Sequence, residues 1–149
     1  MAVTALKAVF ILPLLSLVQV YADQAADMRA RLDTVARGLS EGNPADAISP
    51  FDKSYANYGT LSNYFDGLTN AFNIVSEIDV LDESDSPTEV KATVHWIVTL
   101  SDLGSNYTER RAGDIQVRLV LMGRKWKIVD FSPIDIFDPQ AKRSPKPPQ

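Results

Sequence analysis

The chain has 149 residues, 45% of them hydrophobic and 23% charged, with 15 Lys and Arg against 19 Asp and Glu and a formal net charge of −4. It has no cysteine, which excludes disulfide staples, a lipid on an N-terminal cysteine, thiol catalysis and cysteine-built zinc sites. All 19 acids lie between Asp23 and Asp138, and so acidic a body argues against binding nucleic acid, which needs clustered bases to neutralise phosphates.

Residues 8–20, "AVFILPLLSLVQV", are apolar apart from Ser16 and Gln19, follow Lys7 and lead into "VYA". Small residues before a polar start predict a signal peptide over 1–22, cleaved after Ala22, and hence a periplasmic or secreted bacterial protein. The run is too short to span a bilayer, which takes about 20 apolar residues, and Pro13 interrupts it, so no stable membrane anchor is expected after cleavage. A single domain is expected over 23–138, and a chain of this size can bury roughly two-thirds of its unfolded surface without staples. The remainder, 139–149, ends in "AKRSPKPPQ" and reads as a disordered basic, proline-rich tail.

Within the domain, Met28, Leu32, Val35, Ala36 and Leu39 recur at helical spacing, and Gly42 and Pro44 mark the helix end. Asn43 and Pro44 suit the N-cap and first turn of a short helix through Ile48. A third helix is expected from Thr60 as cap, with Leu61, Tyr64, Phe65, Leu68 and Phe72 as its stripe. From Asn73 the period is two. Ile74, Ser76, Ile78 and Val80 form one face of a strand that "DESDSPTE" should end, and the acidic run there lacks the spacing of a calcium loop. "VKATVHWIVTL" puts Val90, Ala92, Val94, Trp96, Val98 and Leu100 inward. The next strand turns Ile115, Val117, Leu119 and Leu121 inward, with Gly113 a candidate bulge, and Gly123-Arg124 reads as a two-residue hairpin turn. In the closing "RKWKIVDFSP", alternation sets Trp126, Ile128 and Asp130 on the inner face, and Lys125, Lys127, Val129 and Phe131 on the outer one. Helices first and antiparallel strands after is an α+β pattern, with helices on one sheet face.

"GNPADAISPFD" after a first helix, then a further helix, long hairpin strands and a closing "KWKIVDFSP", resemble the nuclear transport factor 2-like superfamily, which includes SnoaL-like polyketide cyclases and ketosteroid isomerases. "YTERR" and "SPIDIF" are similar to small exported bacterial members of unassigned activity. The resemblance covers about residues 24–137. It implies a cystatin-like cone, in which a curved antiparallel sheet wraps the helices around a cup that holds apolar ligands, an active site or simply side chains. Many members of the superfamily dimerise through the sheet.

Candidate site residues follow from placement. Asp130 is the candidate catalytic group, because a carboxylate in a dry cup has a raised pKa and can serve as acid or base. The competing reading has it accepting hydrogen bonds from the backbone around "FSP", the commoner job for Asp at a strand end. Tyr55, Tyr58, Tyr64, Trp96 and Trp126 join Asp130 as pocket candidates, with Tyr55 and Tyr58 on an irregular rim segment. His95 is the only histidine and alternates away from the cup, so it reads as a surface or interface residue and not as a metal ligand. Ile97, Val120, Met122, Val129 and Phe131 on the outer face are candidates for a two-fold dimer contact. The expected function is an exported, non-catalytic module binding a small apolar ligand or a protein partner, without metal or other cofactor. The alternatives are a lyase or isomerase on a small hydrophobic carbonyl compound, and a structural subunit of an envelope assembly.

Overall fold

In a computed structural model of the chain, residues 12–141 are described, with side chains from Gln24 onward. Residues 1–11 of the expected export signal fall outside them, as do tail residues 142–149. Helix α1 runs Leu12–Ser40 and buries Met28, Leu32, Val35 and Leu39, the positions set by the helical period. It stops where Gly42 takes a positive φ of 69°, letting the Asn43 N–H reach back to the Gly38 carbonyl at 2.8 Å. Helix α2, Pro44–Ile48, starts as expected, with Asn43 Oδ1 accepting from the Asp46 N–H at 3.2 Å. It crosses α1 so closely that a Cβ on Gly38 would lie 2.4 Å from the Ala47 nitrogen.

Helix α3, Tyr58–Ala71, begins two residues before the expected Thr60, capped at Asn57 without a side-chain bond. The preceding turn already donates the Tyr58 N–H to the Tyr55 carbonyl at 3.0 Å, so the helix grows directly from it. Leu61, Phe65 and Leu68 are buried, Tyr64 is half-buried, and Phe72 passes into the first strand.

Strands β1 (Phe72–Asp85), β2 (Glu89–Asp102), β3 (Thr108–Met122) and β4 (Lys125–Ser132) form one antiparallel sheet in chain order. The β3–β4 turn is Gly123-Arg124, with Gly123 at φ 64°, the conformation a two-residue hairpin asks of its first residue. Two bulges bend the sheet, and neither is at Gly113, which pairs regularly with Trp96. The first leaves Leu81 unpaired between Val80↔Val94 and Asp82↔Thr93. Strand β1 therefore continues through the expected loop to Asp85, and Glu83 and Asp85 turn onto the inner face opposite Ala92 and Val90. The second leaves Val129 unpaired between Leu119↔Ile128 and Arg118↔Asp130. An inserted residue reverses which face every later side chain takes. Phe131 is accordingly fully buried, correcting its expected place on an outer dimer face, and Asp130 points out.

The inner face of the sheet and the three helices share one core. The residues after β4 belong to it too. Ile134 and Ile136 pack on the core, Phe137 in a short 3-10 turn (Asp135–Phe137) is fully buried, and Pro139 lies against Gly67. The Ala141 N–H donates to the Asp138 carbonyl at 3.2 Å, closing a turn after this segment.

Candidate functional site

The inside of the sheet is built from β2, whose alternate residues Val90 to Leu100 line it. At its centre the indole of Trp96 meets Phe131 at 5.8 Å and Phe137 at 5.6 Å, both edge-on. Phe65 from α3 meets Phe137 at 5.5 Å, and Phe51 meets Phe131 at 5.1 Å, again at near right angles. Edge-to-face contact places the positive rim of one ring on the negative face of the next. This cluster fills the floor that the sequence assigns to a ligand.

A pair of charges holds the filling in place. Glu109 and Arg111 face inward at the end of β3, opposite Leu100 and Val98, with only 15% and 10% of their side chains exposed. Arg111 Nε donates to Glu109 Oε1 at 2.6 Å, while its Nη1 donates to the carbonyls of Ile136 at 3.1 Å and Asp138 at 2.6 Å. The guanidinium thus closes the C-terminal segment over the cup. The alternation that places Ile115 and Val117 inward also places Glu109 and Arg111 inward, so the signal for this clamp is present in "YTERRAGDI".

Asp130 is not in the cup. It is exposed on the convex face, accepting from Arg118 Nη1 at 3.2 Å, and Arg118 Nη2 donates to Glu89 at 3.4 Å. Hydrogen bonds donated to Glu89 and then to Asp130 raise the Arg118 pKa above its ordinary value, and the same guanidinium holds Glu89 below the ordinary carboxylate value. Both readings of Asp130, catalytic floor and backbone tie-off, are therefore replaced by a surface ion pair. Tyr55 is buried, not at a rim, and its hydroxyl donates to the Phe131 carbonyl. Burial raises its pKa above the ordinary phenol value, outweighing the Asn57 hydrogen bond, and the charge of Asp130 adds to the rise. Tyr58 sits half-buried at the start of α3, and Trp126 is buried near the hairpin end of the inner face. The structure brings Tyr55, Trp96 and the rings around Phe131 into the core and leaves the Asp130 carboxylate outside it, near enough for its charge to act on Tyr55 but apart from the aromatic floor.

A cleft of about 210 Å³ opens between α1 and the β1 edge, lined by Arg29, Leu32, Asp33, Ile78, Asp79 and Val80, none of them a candidate from the sequence. Beyond it Glu83 has a raised pKa, first from burial and then from the nearby Asp85 charge, with Arg29 opposing. Each of these two carboxylates has one buried oxygen without a partner. Among the described residues, no group of three or more His, Asp or Glu is placed to hold a metal ion.

Solved structures share the fold. A nuclear transport factor 2-like superfamily protein from Salmonella enterica matches with a TM-score of 0.59 at 10% identity, over 72% of this chain and 88% of the other. The chain has the nuclear transport factor 2-like fold. A function-unknown protein from Mycobacterium tuberculosis matches this cone with a TM-score of 0.64 at 14% identity, over 76% of this chain and 72% of the other. A type 2 hexachlorocyclohexane dehydrochlorinase matches with a TM-score of 0.62 at 10% identity, over 76% and 85%. No family model and no curated protein matches the sequence. Likeness at these identities concerns the cone and not its chemistry, since this fold hosts enzymes and proteins of unknown function alike.

The outer face of the cone's sheet carries the remaining candidates. Ile97, Val120 and Val129 are half-buried there and Met122 is exposed, alongside Val75, which is 60% exposed, and Ala112. Charges on this face are segregated. β1 contributes Glu77, Asp79 and Asp82 and no base, while β3 and β4 contribute Arg110, Arg118, Lys125 and Lys127 against Asp114 and Asp130.

Proposed function

We propose that the protein is an exported, non-catalytic module that acts through the convex face of its sheet, and that a second copy of the chain occupies that face. The observation that carries the reading is the segregated surface just described: an apolar strip of Val75, Ile97 and Ala112 crosses from β1 to β3, with only acids as the charges of β1 and four bases on β3 and β4. Such a surface is complementary to itself, as a two-fold interface requires. The aromatic filling of the cup favours a protein partner over the small apolar ligand, whose floor is taken by Trp96, Phe131 and Phe137. Export is supported by the apolar run before Ala22.

Sedimentation equilibrium of the chain starting at Asp23 tests this reading. A dimer at micromolar concentration is expected, and Ile97→Lys should convert it to a monomer with an unchanged circular dichroism spectrum. A wild-type monomer throughout that concentration range would overturn the proposal.

A further inference from the structure

Across the convex face, residues of neighbouring strands fall into rungs. One rung consists entirely of titratable groups: Asp79 on β1, His95 on β2 and Asp114 on β3. His95 Nδ1 lies 2.6 Å from Asp114 Oδ1, and because a carboxylate only accepts, the imidazole donates. Asp79 faces His95 from the other side as its register partner. The next rungs on either side are Glu77, Ile97 and Ala112, then Asp82, Thr93 and Gln116, so no base other than His95 lies in these three rungs. All three members of the titratable rung reach solvent, with 38% of the His95 side chain and 57% of the Asp114 side chain exposed.

The self-association proposed above fixes what this rung meets. Sheets packed face to face keep their strands within about 30° of parallel or antiparallel. A two-fold axis across the strands would lay β1 on β1 and set Glu77, Asp79 and Asp82 against the same three acids. An axis along β2 lays β1 of one copy over β3 of the other, which brings Glu77 beside Arg110 and stacks Ile97 on Ile97. Charge selects the second arrangement. In it each rung crosses itself, so Asp79 of each copy lies over Asp114 of the other and the two imidazoles meet at the centre.

We infer that the Asp79–His95–Asp114 rung makes self-association acid-strengthened, with His95 as the group that takes up the proton. With both imidazoles neutral, the central strip of the dimer holds four carboxylates and no cation in a partly desolvated layer. Protonating both halves its net negative charge and gives the second nitrogen of each ring an N–H to donate to the carboxylate on its other side. The dimer therefore binds protons more tightly than two separate monomers, and by linkage its affinity rises as pH falls through the histidine range. This rests on the convex-face dimer, but it can fail separately.

The test is sedimentation equilibrium of the chain from Asp23, its His95→Gln variant and its Asp114→Asn variant, at about pH 8 and about pH 5.5, which bracket histidine titration, at one ionic strength. The wild-type Kd should fall about tenfold on acidification, as tightening by proton uptake at charged interface groups requires. His95→Gln should have the same Kd at both pH values, and Asp114→Asn should tighten the dimer at the higher pH by removing a carboxylate from the strip. A dimer whose Kd ignores pH, or a His95→Gln dimer with the full shift, overturns the inference and leaves the convex-face reading standing. A weaker Asp114→Asn dimer at the higher pH does the same. A monomer under every condition overturns both.

Discussion

Val129 has no counterpart on β3, and its insertion turns the Asp130 carboxylate out beside Arg118 while carrying Phe131 into the aromatic cluster. An ion pair so exposed contributes little, because water and salt screen it. Asp130→Asn should therefore leave the melting temperature within about 4 °C of wild type, as differential scanning calorimetry would read it. Leu81 acts in the same way on β1, but there the side chains turned inward are Glu83 and Asp85. Burial raises the Glu83 pKa, so the folded state holds that proton more tightly than the unfolded chain does. The contribution of Glu83 to stability is then fullest below the ordinary glutamate range and is lost as pH rises through the raised value. Glu83→Gln should raise the urea midpoint near pH 7, and the gain should vanish at about pH 4, where the wild-type carboxyl is already protonated.

At the scale of elements, α1, α2 and strands β2 to β4 are legible in the sequence because their periods are strong and their ends carry glycine, asparagine or proline. The two bulges are not. "VLDESD" places an apolar residue before a run of acids, so polarity offers no contrast by which to detect a slip of one residue. In "KIVDF" alternation stays plausible in either register, and the only sign of the insertion is the anomaly itself, an aspartate assigned inward beside a phenylalanine assigned to solvent. The candidate site was less legible than the fold, since Asp130, Phe131 and Tyr55 all depend on that bulge or on the turn that meets it. The C-terminal turn is held by the packing of Phe137 and by one guanidinium from β3. Removing Arg111 takes the cation from a largely buried Glu109, to which the Tyr107 hydroxyl still donates at 3.3 Å, and takes from the Ile136 and Asp138 carbonyls that donor, a loss of about 1–3 kcal/mol. Arg111→Ala should show that loss in urea unfolding, and amide exchange at Phe137 and Asp138 should become much faster than in the core of β2.

For the whole molecule, the sheet divides two tasks between its faces. The concave side is occupied by the chain's own helices, rings and C-terminal turn, and the convex side carries the exposed residues of the four strands. The two outer strands are protected unequally. β4 is covered by Phe51, whose neighbours exchange hydrogen bonds with Ile128: the Asp52 N–H donates to its carbonyl and its N–H donates to the Pro50 carbonyl, both at 2.9 Å. β1 has no strand beyond it among the described residues. A strand edge with no further strand on it invites open-ended addition of strands from other chains, and a kink followed by inward-pointing carboxylates makes such addition unfavourable, because an incoming strand would have to bury charge. Leu81, Glu83 and Asp85 supply both devices. The stability forgone at Glu83 thus guards the β1 edge against open-ended strand addition, where an all-apolar β1 would lead toward fibres.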